Sequence, residues 1–103
     1  MEEYKLFLGK YPEGKIFSRV HAILLTADGR VLLRYKNGEP RVTGGRIDLG
    51  DTDIVDTLRR EVREEINCEI DKCDYLGYLE CRTEDGHEYF ARMVARISKI
   101  LPA

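Results

Sequence analysis

The chain has 103 residues, 43% of them hydrophobic, with 17 Lys and Arg against 19 Asp and Glu for a formal charge of −2. That size suits a single domain spanning 1–103 with a single core, and the charge balance excludes an overall basic field able to recruit nucleic acid or anionic membrane. Runs such as HAILLT (21–26) and RVLLRY (30–35) are too short to span a bilayer, and MEEYKLFLGK lacks the uninterrupted apolar stretch of a signal peptide, so the expected location is the cytoplasm. Cys68, Cys73 and Cys81 are odd in number and have only His21 and His87 as nitrogen partners; reduced structural thiols are expected rather than a zinc site.

In chain order, IFSRVHAILLT reads as a strand, with Asp28-Gly29 placing a tight hairpin turn before a second strand, VLLRYK. KNGEP, with Asn37-Gly38 and Pro40, then interrupts the pattern. RVTGGRIDLGD (41–51) reads as a glycine-rich loop that allows close backbone approach to a ligand and leads into a helix N-terminus. Beyond the helix, CDYLGYLECRT and EYFARMVARI are β-rich runs on either side of EDGH, where Asp85-Gly86 predicts a second hairpin.

The one convincing helix is predicted to start near Asp53, capped by Thr52 or Asp53, and to end near Asn67. At about 100° per residue from Leu58, its apolar residues Ile54, Val55, Val62 and Ile66 fall between about −40° and +80°. Glu65, near about −20°, lies within that stripe, while Glu61 at about −60° and Glu64 at about −120° crowd its edge. A solvated acidic surface with an Arg60–Glu64 pair accounts for most charged helices. It does not account for Glu65, whose ionised carboxylate on a core-facing stripe needs a compensating cation, or for the like charges of Glu61 and Glu65 four residues apart. A divalent ion answers both objections, and oxygen-only ligands suit Mg²⁺ or Mn²⁺.

Together, the loop and helix resemble the Nudix box, G-x5-E-x7-R-E-U-x-E-E-x-G-U with U aliphatic. Gly45 stands at its first glycine, Arg60-Glu61 at its R-E, Val62 at its aliphatic position and Glu64-Glu65 at its E-E. Asp51 takes the place of the first glutamate, one extra residue separates it from Arg60, and Asn67-Cys68 replace the closing pair. Asn suits the left-handed conformation that glycine adopts after a helix. Asp51, being shorter than glutamate, has to reach Arg60 or a metal-bound water.

Over residues 17–98 the resemblance implies an α/β fold, a Nudix-type α/β/α sandwich with a mixed β-sheet, here lacking the usual C-terminal helix. The sheet face that such a helix covers is then expected to be covered by a second copy in a homodimer. The activity implied is metal-dependent hydrolysis of a pyrophosphate bond in a nucleoside diphosphate linked to another moiety. Glu61, Glu64 and Glu65, with the Gly45 carbonyl, hold Mg²⁺ or Mn²⁺ in this reading; Arg60 orients the carboxylates, and the general base stays unassigned between these glutamates and one from a later loop. The alternatives are a Nudix-like domain that binds a nucleotide or protein without hydrolysing it, and a small interaction module with an incidental acidic helix. His87 is expected to be an idle hairpin histidine, and Tyr35, Tyr75, Tyr78 and Tyr89 to be packing residues. The aspartates of DLGDTDIVD (48–56) are expected to cap the helix rather than form a calcium loop.

Overall fold

The computed structural model describes residues 3–102; Met1, Glu2 and Ala103, which the single-domain expectation also takes in, lie outside the described residues. Alternating apolar residues build the central strand, β2 (Arg19–Leu25), in which Val20, Ala22 and Leu24 point to one face and are buried. Beside it, in parallel, runs β8 (Gly86–Ile100), contributing Ala91, Met93, Ala95 and Ile97 to the same face. β8 pairs antiparallel with β7 (Cys68–Thr83), and β7 with β1 (Glu3–Leu8). On the other side β2 pairs antiparallel with both β3 (Val31–Leu32) and β6 (Thr43–Arg46). The sheet is therefore mixed, as expected.

Helix α1 (Ile54–Ile66) lies across β6, β2 and β7 and closes the core with Leu58 and Val62, both fully buried. Its ends are where the sequence puts them. Asp53 accepts a hydrogen bond from the Asp56 N–H at 2.9 Å, and Asn67, at φ 55° and ψ 44°, donates its own N–H to the Arg63 carbonyl. The Asn67 side chain also holds the carbonyls of Leu101 and Pro102, fastening the segment after β8. Ile54, Val55 and Ile66 pack partly buried against the core, completing the predicted stripe.

Only one sheet face is covered among the described residues. On the other, Tyr4, Leu6, Leu8 and Ile23 are exposed. α1 is the only helix among the described residues, so the outer layer of a full α/β/α sandwich is absent from them, in keeping with the expected missing helix.

Four local expectations need correction. VLLRYK is not one strand: after β3 the chain leaves the sheet as β4 (Arg34–Lys36). KNGEP is not a break but the turn and second arm of a hairpin, β4 with β5 (Glu39–Arg41), closed by Asn37 and Gly38 at φ 55° and 77°. Positive φ at both central residues matches the twist of the strands, which is why Asn-Gly is such a strong hairpin signal. RVTGGRIDLGD is only partly a loop, because Thr43 to Arg46 form β6. The final hairpin turns at Glu84-Asp85, with Gly86 already paired to Thr83. β1 has no counterpart among the predicted elements.

Candidate active site

The double glycine is what lets α1 press against β6. Gly44, at φ +155°, sits so close to β2 that a Cβ there would lie 2.0 Å from the Val20 carbonyl oxygen. A Cβ on Gly45 would meet the Glu61 carboxylate at 2.5 Å. The first glycine thus seats the strand, and the second opens the space that the Glu61 carboxylate fills.

Arg60 is the hub of the site. Its guanidinium meets Asp51 through two nitrogens, at 3.0 and 3.4 Å, so the shorter aspartate does reach it across the additional residue. The same group donates to the Arg46 carbonyl at 3.1 Å and to Glu61 at 3.1 Å, and stands 3.4 Å from Asp48 and 3.6 Å from Glu64. A planar fork of five N–H donors is the side chain suited to such a set. Asp51 further accepts from the Thr57 hydroxyl at 2.8 Å and the Asp48 N–H at 2.9 Å. Hydrogen bonds from Arg60, the Asp48 backbone and Thr57 hold its carboxyl down at about 2, and Asp51 in turn raises the Arg60 guanidinium above its ordinary value.

Glu65 finds its cation in Arg34. The two meet at 2.7 Å, and the second oxygen accepts the Gly44 N–H at 3.1 Å. Within this structure the charge on the core-facing stripe is compensated by protein groups, so the need for a cation is met without a metal ion. Glu61 is different. Burial pushes its carboxyl up, Arg60 pulls it back, and the charges of Glu65 and Glu64 push it up again, leaving it raised. Glu64 stays more than half exposed, with its ion pair to Arg60 at 3.6 Å.

The structure therefore gathers Arg60, Glu61, Glu65 and Gly45 at the junction of α1 and β6, with Glu64 at the rim. Among the described residues no three His, Cys, Asp or Glu side chains stand around one point as a ready-made metal site. Three participants escaped the sequence reading. Thr57 carried a signal, being polar on an otherwise apolar helical face, whereas Asp48 and Arg34 come from a loop and a hairpin whose placement no local pattern gives.

The secondary candidates fall elsewhere. His87 stands 3.5 Å from Glu80 beside Lys15, Ile16 and Tyr89, in a pocket that shares no lining residue with the helix cluster. Tyr75 stacks on Tyr11 at 4.0 Å and Tyr78 on Phe7 at 4.8 Å, as packing residues do. Tyr35 is largely exposed. All three cysteines are free, and burial pushes the Cys68 and Cys73 thiols up, away from reactivity. Of the aspartates in 48–56, Asp53 caps α1 as expected, whereas Asp51 engages Arg60 and Asp48 stands 3.4 Å from it rather than capping the helix.

A mixed sheet bearing one helix, with carboxylates pressed against a glycine strand and organised by an arginine, defines the class. The family model described as NUDIX domain matches residues 15–102, and the chain belongs to that family. Among solved structures it is similar to a mutant form of the Bacillus subtilis pyrophosphohydrolase BsRppH, at 18% identity with a TM-score of 0.85. The match covers 97% of this chain and 63% of that one, so the chain spans less than two thirds of its structural relative. Among curated proteins no match is found. No helix among the described residues is long and apolar enough to cross a membrane.

Proposed function

We propose that the chain is a Nudix pyrophosphohydrolase that cleaves a pyrophosphate bond in a nucleoside diphosphate linked to another moiety. The supporting observation is the Arg60 hub, which fixes Asp51 and Glu61 in place while Glu61 lies against a strand kept free of side chains at Gly45. Family membership and the BsRppH-like fold support the same reading.

In this reading Glu61, Glu64, Glu65 and the Gly45 carbonyl hold Mg²⁺ or Mn²⁺. The donor chemistry fits, being oxygen throughout, and so does the electrostatics: Glu61 is raised by burial and by its two glutamate neighbours, an excess of negative charge that a cation relieves. When bound, such an ion neutralises phosphate oxygens and makes a water nucleophilic near neutral pH. The protein's part is positional. Arg60 keeps Glu61 and Asp51 from drifting, Arg34 and the Gly44 N–H pin Glu65, and Glu64, exposed at the rim, is the member free to turn. Each of these contacts orders a carboxylate before substrate arrives.

The test is release of phosphate or nucleoside monophosphate from a panel of nucleoside diphosphate derivatives, with Mg²⁺ or Mn²⁺ and with chelator, for wild type and Glu61→Gln. Glu61 is the better probe than Glu65, because Arg60 keeps Asp51 when the Glu61 charge is removed, whereas Arg34 loses Glu65, its ion-pair partner. Metal-dependent turnover lost in the variant supports the proposal, and turnover that persists in chelator sinks it. A second reading, a Nudix-like domain that binds without hydrolysis, draws on the absence of a ready-made metal cluster among the described residues. It requires nucleotide binding with no turnover of any panel member. We further propose a cytoplasmic protein whose bare sheet face, with Tyr4, Leu6, Leu8 and Ile23, is covered by a second copy.

A further inference from the structure

The open face of the sheet is apolar but not uncharged. Along β8, Ala91, Met93 and Ala95 turn to the core, so Glu88, Phe90, Arg92 and Val94 turn away from α1. Arg92 lines a groove of about 420 Å³ with Leu6, Leu8, Ile23 and Leu79, and its Nη1 is buried without a hydrogen-bond partner. The register gives it no counter-charge, since it lies opposite Gly77 on β7 and beside His21 on β2. Burial, with Arg92, Arg19 and Arg34 nearby, holds the His21 imidazole down at about 4, so it is neutral near pH 7 and Arg92 is the cation of this pair. Glu88 lies opposite Cys81, and among the described residues it is in no ion pair. A partly buried guanidinium and a carboxylate thus share one strand and one face, about 13 Å apart along the backbone with Phe90 between them. An apolar cover laid over Arg92 without an acceptor would strand a desolvated charge.

We propose that the second copy on this face is seated by two reciprocal ion pairs, Arg92 of each copy meeting Glu88 of the partner subunit. The inference rests on the second-copy reading of the bare face and goes beyond it by fixing the register. In a closed dimer the same patch serves both copies: where one residue meets a second, the second also meets the first. A two-fold axis passing over Phe90 and across the strands exchanges positions equally far along β8, so Glu88 and Arg92 trade places. Two sheets packed face to face stand about 10 Å apart, a gap that an arginine and a glutamate span together. Leu6 and Leu79 share the row of Phe90, so the same axis sets Leu6 on its own copy and Leu8 on Tyr4 of the partner subunit. Apolar side chains therefore meet apolar ones where charge meets counter-charge. Moving the axis to Arg92 would instead put guanidinium on guanidinium. The cost of the proposed register is Arg19, which lies over the Phe90 ring at 5.7 Å and comes to face its own copy.

Sedimentation equilibrium of the metal-free protein tests it, with wild type expected to dimerise. Glu88→Arg and Arg92→Glu each set like charges together twice, and each is expected to weaken the dimer by about tenfold or more. Mixed in equal amounts, the two variants present an attractive pair on both sides, so a heterodimer of near wild-type affinity is expected. The double variant Glu88→Arg/Arg92→Glu should dimerise in the same way, and either recovery shows that the substituted chains fold. Glu88→Gln, which keeps the size of the side chain, should loosen the dimer less than Glu88→Arg, and Arg19→Gln should tighten it. Single reversals that dimerise like wild type, or a mixture that forms no tighter heterodimer, overturn the inference while the second copy stays on the face. A wild type that is monomeric at every concentration overturns both and leaves the face to another partner. The carboxylate cluster lies on the opposite side of the sheet, so metal-dependent turnover by the Glu88 and Arg92 variants is expected to match wild type, and the hydrolase reading is judged separately.

Discussion

Adding one methyl group to each of the two adjacent glycines separates seating the strand from shaping the site. At Gly44 an alanine Cβ lies 2.0 Å from the Val20 carbonyl oxygen and 2.6 Å from the His21 Cα, and the residue is held at φ +155°. Backbone cannot yield as a side chain does, and a non-glycine residue at that φ is strained by about 1–3 kcal/mol before the clash is counted. With the β2–β6 pairing disturbed as well, Gly44→Ala is expected to lose about 3 kcal/mol or more, a large share of a small domain's stability. At Gly45 the three atoms nearest the new Cβ all belong to the Glu61 carboxylate, the far end of a flexible side chain. The carboxylate swings away and gives up its 3.1 Å contact with Arg60, a loss of about 1 kcal/mol for a partly exposed charged hydrogen bond. Gly45→Ala should therefore fold nearly as well as wild type yet lose most metal-dependent turnover. Urea denaturation of both variants, read beside hydrolysis of the diphosphate panel, checks this. If Gly45→Ala unfolds as easily as Gly44→Ala, or folds and hydrolyses like wild type, the assignment of Gly45 and Glu61 to a common site is wrong.

Three further outcomes follow from the same geometry. Arg34→Ala leaves a mostly buried Glu65 with only the Gly44 N–H, and is expected to lower stability by about 1–3 kcal/mol, with Arg34→Ala/Glu65→Gln recovering part of it in a double-mutant cycle. Asp51, held at about 2 against an ordinary 3.8, contributes stability that is fully present above about pH 4 and lost as pH falls from there towards 2; in Asp51→Asn, acid titration followed by circular dichroism should show that part of the slope gone. Glu61 is raised, so the folded state binds the extra proton and stability falls as pH rises from 4.5 through its folded value; metal-free Glu61→Gln should then be at least as stable as wild type at pH 7 while losing metal-dependent turnover, and a clear drop in its thermal midpoint would contradict the burial argument.

What could be read in the sequence, and what could not, follows the range of the interactions involved. Both ends of α1 were legible, because a cap is settled by residues within a few positions of each other: Asp53 bonds the N–H of Asp56, and Asn67 takes up the left-handed conformation that ends the helix. So was the crowding of Glu61 and Glu65, since helical spacing alone places them on one side. The identity of Glu65's partner was not legible, because Arg34 is 31 positions away and reaches it only once the chain has left the main sheet after β3 and folded back through β4 and β5. The signal for that excursion was present in Asn37-Gly38, a hairpin turn with short flanks; what the flanks lack is the apolar alternation that marks strands packed on a core. The desolvated glutamate correctly demanded a cation, and desolvation alone does not say whether a metal ion or a guanidinium supplies it. Arg34 meets the demand at Glu65 while Glu61 keeps its raised carboxyl, so in the proposed metal-binding reading the charge left to neutralise is centred on Glu61, beside the strand glycine Gly45.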